Sequence, residues 1–508
     1  MGIAMRGKQS FINITCNFFS IFISMGLSFF ITPFLVKTIG AESYGFVPLT
    51  QQIVNYMSIA TISVTAISGR FFTIAKKKAD TAMAQEYFSS TLSASLLGSL
   101  LLSTILLPIS AYINKILNIP NYLVSDVRIS FLLFCAIFLI SFITSTFNIG
   151  AFSSNKLYIT STITIVNTVV KAIATVSLLL LFTPRIWYIS LGALVASFIA
   201  GIITVISFVK LEPAIHTFKL SITKLKEIFS SGIWASLSEI GVILFLQIDL
   251  IVANWNLGTK ITGEYAVVLA IPAILRTFSN AIISVFVPSV ISLYALGKYK
   301  EMVDYLNNAV LYTGLVLSLP IGIICGLGGV VLRLWIGEYY AGYGLLLAVL
   351  SIHLSINLSV QVIMSAQTAY NKLRVPAFVT LIMGIINFSL AYVLSKYTDL
   401  GVMGIALSGA LVLTVKNTVF TPLYVARITG QERKTYFRGI IKPLISTCFV
   451  FAIAFLTQYI FYIKNFYQLF FVCFVVGSIY LIFVLVFMLN KTEKNRIYVK
   501  VGELFGKG

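Results

Sequence analysis

Apolar residues in this chain come in long runs, and polar residues gather in the short segments between them. A helix needs about 20 apolar residues to cross the hydrocarbon core of a bilayer. Fourteen runs meet that length: 11–36, 46–68, 88–113, 129–152, 159–182, 186–209, 229–254, 264–290, 306–332, 341–366, 376–395, 401–426, 440–462 and 467–490. The pattern predicts an all-α, polytopic membrane protein. The first run follows Arg6 and Lys8 and is too long for a signal-peptide core, and no small-residue cleavage site comes after it. It reads as a first helix that stays in place. Only 10% of the 508 residues are charged, against about 25% in a soluble domain, which excludes a water-soluble fold.

The net charge of +20 would suggest nucleic acid in a soluble protein. Its placement points elsewhere. With the N-terminus inside, the loops on the inner side hold 25 of the 36 lysines and arginines and the outer loops hold 8. Basic residues collect in cytoplasmic loops, beside anionic lipid. The reading is therefore a bacterial cytoplasmic (inner) membrane protein with both termini in the cytoplasm, touching membrane lipid and not nucleic acid. The five cysteines form no CxxC or Cys/His cluster and read as small apolar residues, so no metal site is expected.

A shift of 218 residues lays Gly40 on Gly258, Gly45 on Gly263, Glu86 on Asp304 and Tyr87 on Tyr305. The same shift lays the first helix on the seventh and the second on the eighth. Six helices separate the copies, so the repeat is parallel. The expected organisation is a six-helix bundle over 1–209, a cytoplasmic linker over 210–228 and a second six-helix bundle over 229–427. Two further helices over 428–490 and a cytoplasmic tail over 491–508 complete it. The two bundles are expected to flank a central cavity.

No G-x4-G-K-[ST] phosphate loop, zinc motif or pore-filter string is present. The glycines at 322, 326, 328 and 329 read as the end of a helix. The longest outer loop, 114–128, is too short to house a catalytic domain, which argues against a membrane glycan polymerase. The chain reads as a secondary transporter and not an enzyme.

Three cations remain once the loops are counted: Lys171, Arg276 and Lys416, each near the middle of an apolar run. A cation at that depth costs roughly 2.5–3.5 kcal/mol and marks a water-filled cavity or a counter-charge. Glu239 and Asp249 in the seventh run and His353 in the tenth are the other ionisable groups at depth. One reading makes Glu239 or Asp249 the ion-pair partner of Arg276. The other makes the cations line a cavity for an anion, and three cations against two acids favour it. Lys416 reaches the interface instead if its helix is shorter. Pro272, one turn before Arg276, frees a backbone carbonyl and lines a cavity or only kinks its helix. Arg70, after Ser68 and Gly69, either touches a phosphate at the cytoplasmic mouth or anchors among headgroups.

The opening string NITCNFFSIFISMGLSFFITPFLVKTIGAESYGF and its second-half counterpart LFLQIDLIVANWNLGTKITGEYAVV carry a resemblance. The chain resembles the polysaccharide-transporter branch of the multidrug/oligosaccharidyl-lipid/polysaccharide flippase superfamily, nearest to repeat-unit flippases for O-antigen and capsule. That resemblance implies alternating access and a substrate of short oligosaccharide on undecaprenyl diphosphate, moved from the inner to the outer leaflet. Lys171, Arg276, Lys416 and Arg70 are then the candidates for the diphosphate. Glu239, Asp249 and His353 are candidates for H+ or Na+ coupling or for ion pairing. No cofactor is called for, and a polysaccharide polymerase is the expected protein partner. Two relatives stand as alternatives. Multidrug antiporters commonly rely on an acid in the first helix, which here has none. Lipid II flippases typically carry arginines in the first helices, and here only Arg70 comes close.

Overall fold

In hydrocarbon a backbone amide finds its partner within its own helix or in a closed barrel, and the long apolar runs all become helices. The computed structural model describes residues 2–215, 221–490 and 494, and every regular element among them is helical. Residues 216–220 of the expected linker, and all of the expected tail except 494, lie outside the described residues. The spans in chain order are α1 (Gly2–Ile39), α2 (Ala41–Asn55 and Ser58–Lys77), α3 (Thr81–Ala111) and α4 (Val124–Ser145, continued by Asn148–Ser153). Then come α5 (Tyr158–Leu181), α6 (Trp187–Leu211), α7 (Ile222–Leu246 and Asp249–Leu257) and α8 (Thr259–Ala295). The last six are α9 (Tyr299–Trp335), α10 (Glu338–Ala369), α11 (Arg374–Tyr397), α12 (Val402–Ile428), α13 (Phe437–Ile460) and α14 (Phe466–Phe483). Thirteen spans are long and apolar enough to cross a membrane among the described residues, and the bent α7 makes the fourteenth. The fold is that of an all-helical, multi-pass membrane protein.

Several spans are not straight. The two parts of α7 meet at 45°. Tyr56 and Met57 interrupt α2, and α10 is a chain of short helical pieces. Lys416–Phe420 in α12 is a π-helical turn, an insertion that often sits at functional sites. By contrast α8 runs unbroken through Pro272 and Pro288.

Turns 216–218 residues apart share one backbone geometry. Gly40 and Gly258 have φ of 82° and 85°, where a side chain would be strained. Ala79 and Gly297 both turn left-handed after a long helix, and each N–H returns to the carbonyl three residues back at 3.0 Å. Asn155 and Asn371 have φ of 53° and 52°. The lysine after each donates its N–H five residues back, to Ala151 and Gln367, at 2.8 Å in both cases. Asparagine is one of the few residues besides glycine that tolerate this conformation, and Asn-Lys-Leu stands at both places.

The contacts form two compact units. The first holds Met1–Val267 and Leu373–Gly409, and the second holds Val268–Lys372 and Ala410–Gly508. In the second unit Gly314, Ser318, Gly322 and Gly326 line one stripe of α9, spaced four apart. A Cβ on Gly322 would stand 2.6 Å from Val450, and one on Gly326 2.7 Å from the Ala454 Cβ. These glycines let α13 lie directly on α9, as small residues do between membrane helices. The expectation that 322, 326, 328 and 329 end a helix is corrected: all four lie inside α9. A backbone kink at Leu327 (φ −111°, ψ 17°) is the only local sign of a stop.

Candidate functional site

In the first unit α1 and α5 run side by side in the same direction. The Asn13 amide donates to the Asn155 carbonyl at 2.9 Å, and its oxygen accepts from the Tyr158 N–H at 3.0 Å. Ten to eleven residues further along both helices, Ser24 and Thr168 hydroxyls are 3.1 Å apart. Thr168 gives its proton to the Thr164 carbonyl at 2.8 Å, so Ser24 is the donor in that pair. Lys171 follows one turn later and is exposed. It lies 13 residues into a 24-residue helix, about 20 Å from its start. A lysine at mid-span is costly against hydrocarbon, so its surroundings are the point to test.

Glu239 and Asp249 also belong to the first unit, on either side of the α7 bend. Glu239 accepts a hydrogen bond from Ser58 at 3.3 Å, just past the interruption in α2. Tyr56, in that interruption, donates to the Gln247 carbonyl at 2.7 Å. Gln247 is where α7 stops being helical, so a side chain from one broken helix satisfies a carbonyl freed by the other. Asp249 opens the second part of α7, where a negative charge suits the helix dipole, and the Tyr265 hydroxyl reaches it at 3.5 Å.

Arg276, His353 and Lys416 belong to the second unit. Arg276 lies half-buried on α8, and His353 lies on α10. His353 Nδ1 is 2.8 Å from the Asn357 amide nitrogen, and Asn417 donates to Asn357 Oδ1 at 3.0 Å. Because Asn357 Oδ1 is taken, its NH2 points at His353, whose Nδ1 must accept; neutral His353 carries its proton on Nε2. Thr414 and Thr421 extend the network at 3.3 Å each. Lys416 begins the π turn of α12 beside these amides and is only 8% exposed. It is buried in protein and does not reach for an interface. Asn357 and Asn417, 1% and 2% exposed, were not singled out by the sequence.

Arg70 stands apart from these clusters, exposed near the C-terminal end of α2. That end carries a polar clamp. The buried Glu212 carboxylate takes Lys76 at 2.5 Å and Ser153 at 2.6 Å, joining the ends of α2, α4 and α6. Nearby, Lys224 meets Tyr87 at 3.2 Å and Glu227 at 3.4 Å. The hydrogen bond to Tyr87 raises the Lys224 pKa above its ordinary value, partial burial opposes it, and Glu227 adds to the rise. At the opposite end of the first unit the Asn118 and Asn254 amides bond reciprocally, at 2.8 to 3.1 Å. Glu42 there accepts from Thr259 and, at 3.1 Å, from Tyr122. Gly45 and Gly263 meet backbone to backbone: a Cβ on Gly45 would stand 2.5 Å from the Gly263 Cα.

Residues 11–293, more than half of the chain, match the family described as polysaccharide biosynthesis protein. The chain belongs to that family. A relative from Bacillus subtilis (strain 168), the uncharacterized membrane protein EpsK, is 36% identical over 488 residues, 96% of this chain and 97% of its own. Among solved structures, the lipid II flippase MurJ in an inward closed conformation matches with a TM-score of 0.63 and 13% identity, over 94% of this chain and all of its own. An inward-facing multidrug resistance MATE family transporter of the MOP superfamily matches with a TM-score of 0.63 and 15% identity, over 80% of this chain and 96% of its own. At these identities the likeness is one of fold. This polysaccharide-biosynthesis protein has the fold of transporters and flippases, not that of an enzyme.

Proposed function

We propose that this protein is a flippase that carries oligosaccharide repeat units on undecaprenyl diphosphate from the inner to the outer leaflet of the bacterial cytoplasmic membrane. The observation that carries the reading is a polysaccharide-biosynthesis sequence built on a transporter fold. Lys171, Arg276 and Lys416 each stand near the middle of an apolar run; these are the groups we assign to a diphosphate. Arg70 is a first contact for phosphate near the end that holds the N-terminus. The halves 1–209 and 229–427 are the bodies that move, and Glu239 and Asp249, beside the broken α7, are the acids for H+ or Na+ coupling. His353, locked in its amide network, holds structure or senses the same ion. Both termini are cytoplasmic, and a polysaccharide polymerase receives the product.

The match to MurJ extends over nearly the whole chain, while the antiporter covers less of it. This supports a lipid-linked substrate over a soluble drug. Deletion of the gene tests the reading: surface glycan is lost and its lipid-linked precursor accumulates in the membrane. Unchanged glycan with heightened sensitivity to cationic dyes would replace it with a multidrug antiporter, and arrest of peptidoglycan synthesis with a lipid II flippase.

A further inference from the structure

One side of α5 is lined by polar residues. With 3.6 residues per turn, Thr160, Thr164, Asn167 and Thr168 all fall within about 60° of Lys171. Thr164 is exposed, as Lys171 is, and Thr160 is half-buried. The opposite side of the same helix shows Ile173 at 61% and Leu180 at 69% exposure, which is a lipid face. Thr162 is the exposed polar residue on that apolar side, while Thr160, Thr164, Asn167, Thr168 and Lys171 share the other.

The neighbouring helix repeats the pattern. Asn17, Ser20, Ser24 and Ser28 of α1 lie in line at spacings of three and four, and Ser28 is exposed. The Ser24–Thr168 hydrogen bond brings this line alongside that of α5. The exposed phenylalanines of α1, Phe19, Phe22 and Phe30, lie on the far side, toward lipid. Two parallel helices thus present one continuous polar face with a single cation.

The chemistry of that face is mostly uncharged. Thr160, Thr164 and Thr168 each donate their proton to a carbonyl of their own helix, at 2.6 to 2.9 Å. Their oxygens keep lone pairs and present acceptors to whatever lies in front. The Asn167 amide adds donors and an acceptor. A row of neutral acceptors and amides, ending in an ammonium, suits a neutral polyhydroxylated chain joined to a phosphate.

We propose that the α1–α5 face is the glycan track, binding sugar hydroxyls along Thr160, Thr164 and Asn167 while Lys171 holds the phosphate at the sugar–lipid junction. This assignment rests on the flippase reading and adds where the sugar lies. The track sets how the oligosaccharide is recognised; Lys171 reads only the part common to all such lipids.

Two measurements test it. The first uses protein with its five native cysteines replaced by alanine, in membrane vesicles, and a membrane-impermeant maleimide. A thiol in hydrocarbon does not ionise and reacts slowly, so Thr164→Cys labels at least about tenfold faster than Ile173→Cys. Equal rates overturn the track. The second uses purified protein and two probes: undecaprenyl diphosphate, and the glycan-bearing lipid extracted from cells that lack this protein. Losing one or two hydrogen bonds, Thr164→Val and Asn167→Leu weaken binding of the glycan-bearing lipid by about five- to tenfold and leave undecaprenyl diphosphate unaffected. Lys171→Met weakens both. Equal losses for both lipids in the Thr164 and Asn167 variants overturn the glycan assignment. If the wild type binds neither lipid while Thr164→Cys still labels quickly, the flippase reading fails and the face serves another solute.

Discussion

At the scale of single residues, the charges within spans divide by burial. Lys171 is exposed. Lys171→Met is therefore expected to lower glycan export several-fold while changing stability by less than about 0.5 kcal/mol; export and detergent melting curves on one preparation check both halves. Asn417 has the opposite role. Asn417→Leu leaves the buried Asn357 oxygen without its donor and costs about 1–3 kcal/mol, read as a lower unfolding temperature. The three cations were legible in the sequence because a charge in an apolar run is energetically conspicuous. The amides were not, because Asn357 and Asn417 lie sixty residues apart in the chain and each alone resembles any polar residue in a membrane helix.

At the scale of helices, glycines decide where two elements touch. Gly45→Ala and Gly263→Ala each drive a methyl group into the facing backbone, which cannot swing aside as a side chain can. Each is expected to destabilise by about 1–3 kcal/mol. Gly26→Ala meets nothing within 4 Å and, in a helix interior, is expected to stabilise by roughly 0.5–1 kcal/mol. Thermal unfolding of the three variants in one detergent gives the order. Tyr56→Phe removes the hydroxyl that satisfies the Gln247 carbonyl at the α7 bend and is expected to cost about 1–3 kcal/mol. Gly40, Gly45, Gly258 and Gly263 were visible in sequence as a repeated spacing. That Gly45 would rest on Gly263, its own counterpart, was not, since a repeat specifies correspondence and not contact.

At the scale of the whole molecule, orientation is the property to test. The proposed orientation, with both termini and 69–87 in the cytoplasm, rests on the excess of lysine and arginine in alternate loops. Alkaline phosphatase fused within 114–128 is expected to be active, and the same reporter fused at Gly297 inactive; the reverse pattern would invert every side assigned above. The Lys224 clamp adds a condition on pH. Its raised pKa keeps the ammonium charged throughout the neutral range, and its contribution is lost only as pH rises through that raised value. The clamp is therefore expected to leave transport unchanged between about pH 6 and 8, so any pH optimum there must come from other groups.

Residue order alone determined the all-helical, multi-span fold and placed Lys171, Arg276 and Lys416 near the middle of apolar runs. Each of these depends on lengths and charges counted along the chain, and the bilayer imposes a fixed thickness on that count. Residue order alone also showed the 218-residue echo, since the same turns need the same residues. Only the tertiary structure decided that α2 and α7 break and that Tyr56 bridges the breaks. It also decided that Lys416 is buried beside two amides, and that the polar lines of α1 and α5 face each other with Lys171 at their end. Those outcomes depend on which helix faces meet, and the meeting faces are set by side chains sixty to nearly two hundred residues apart whose packing no local pattern records.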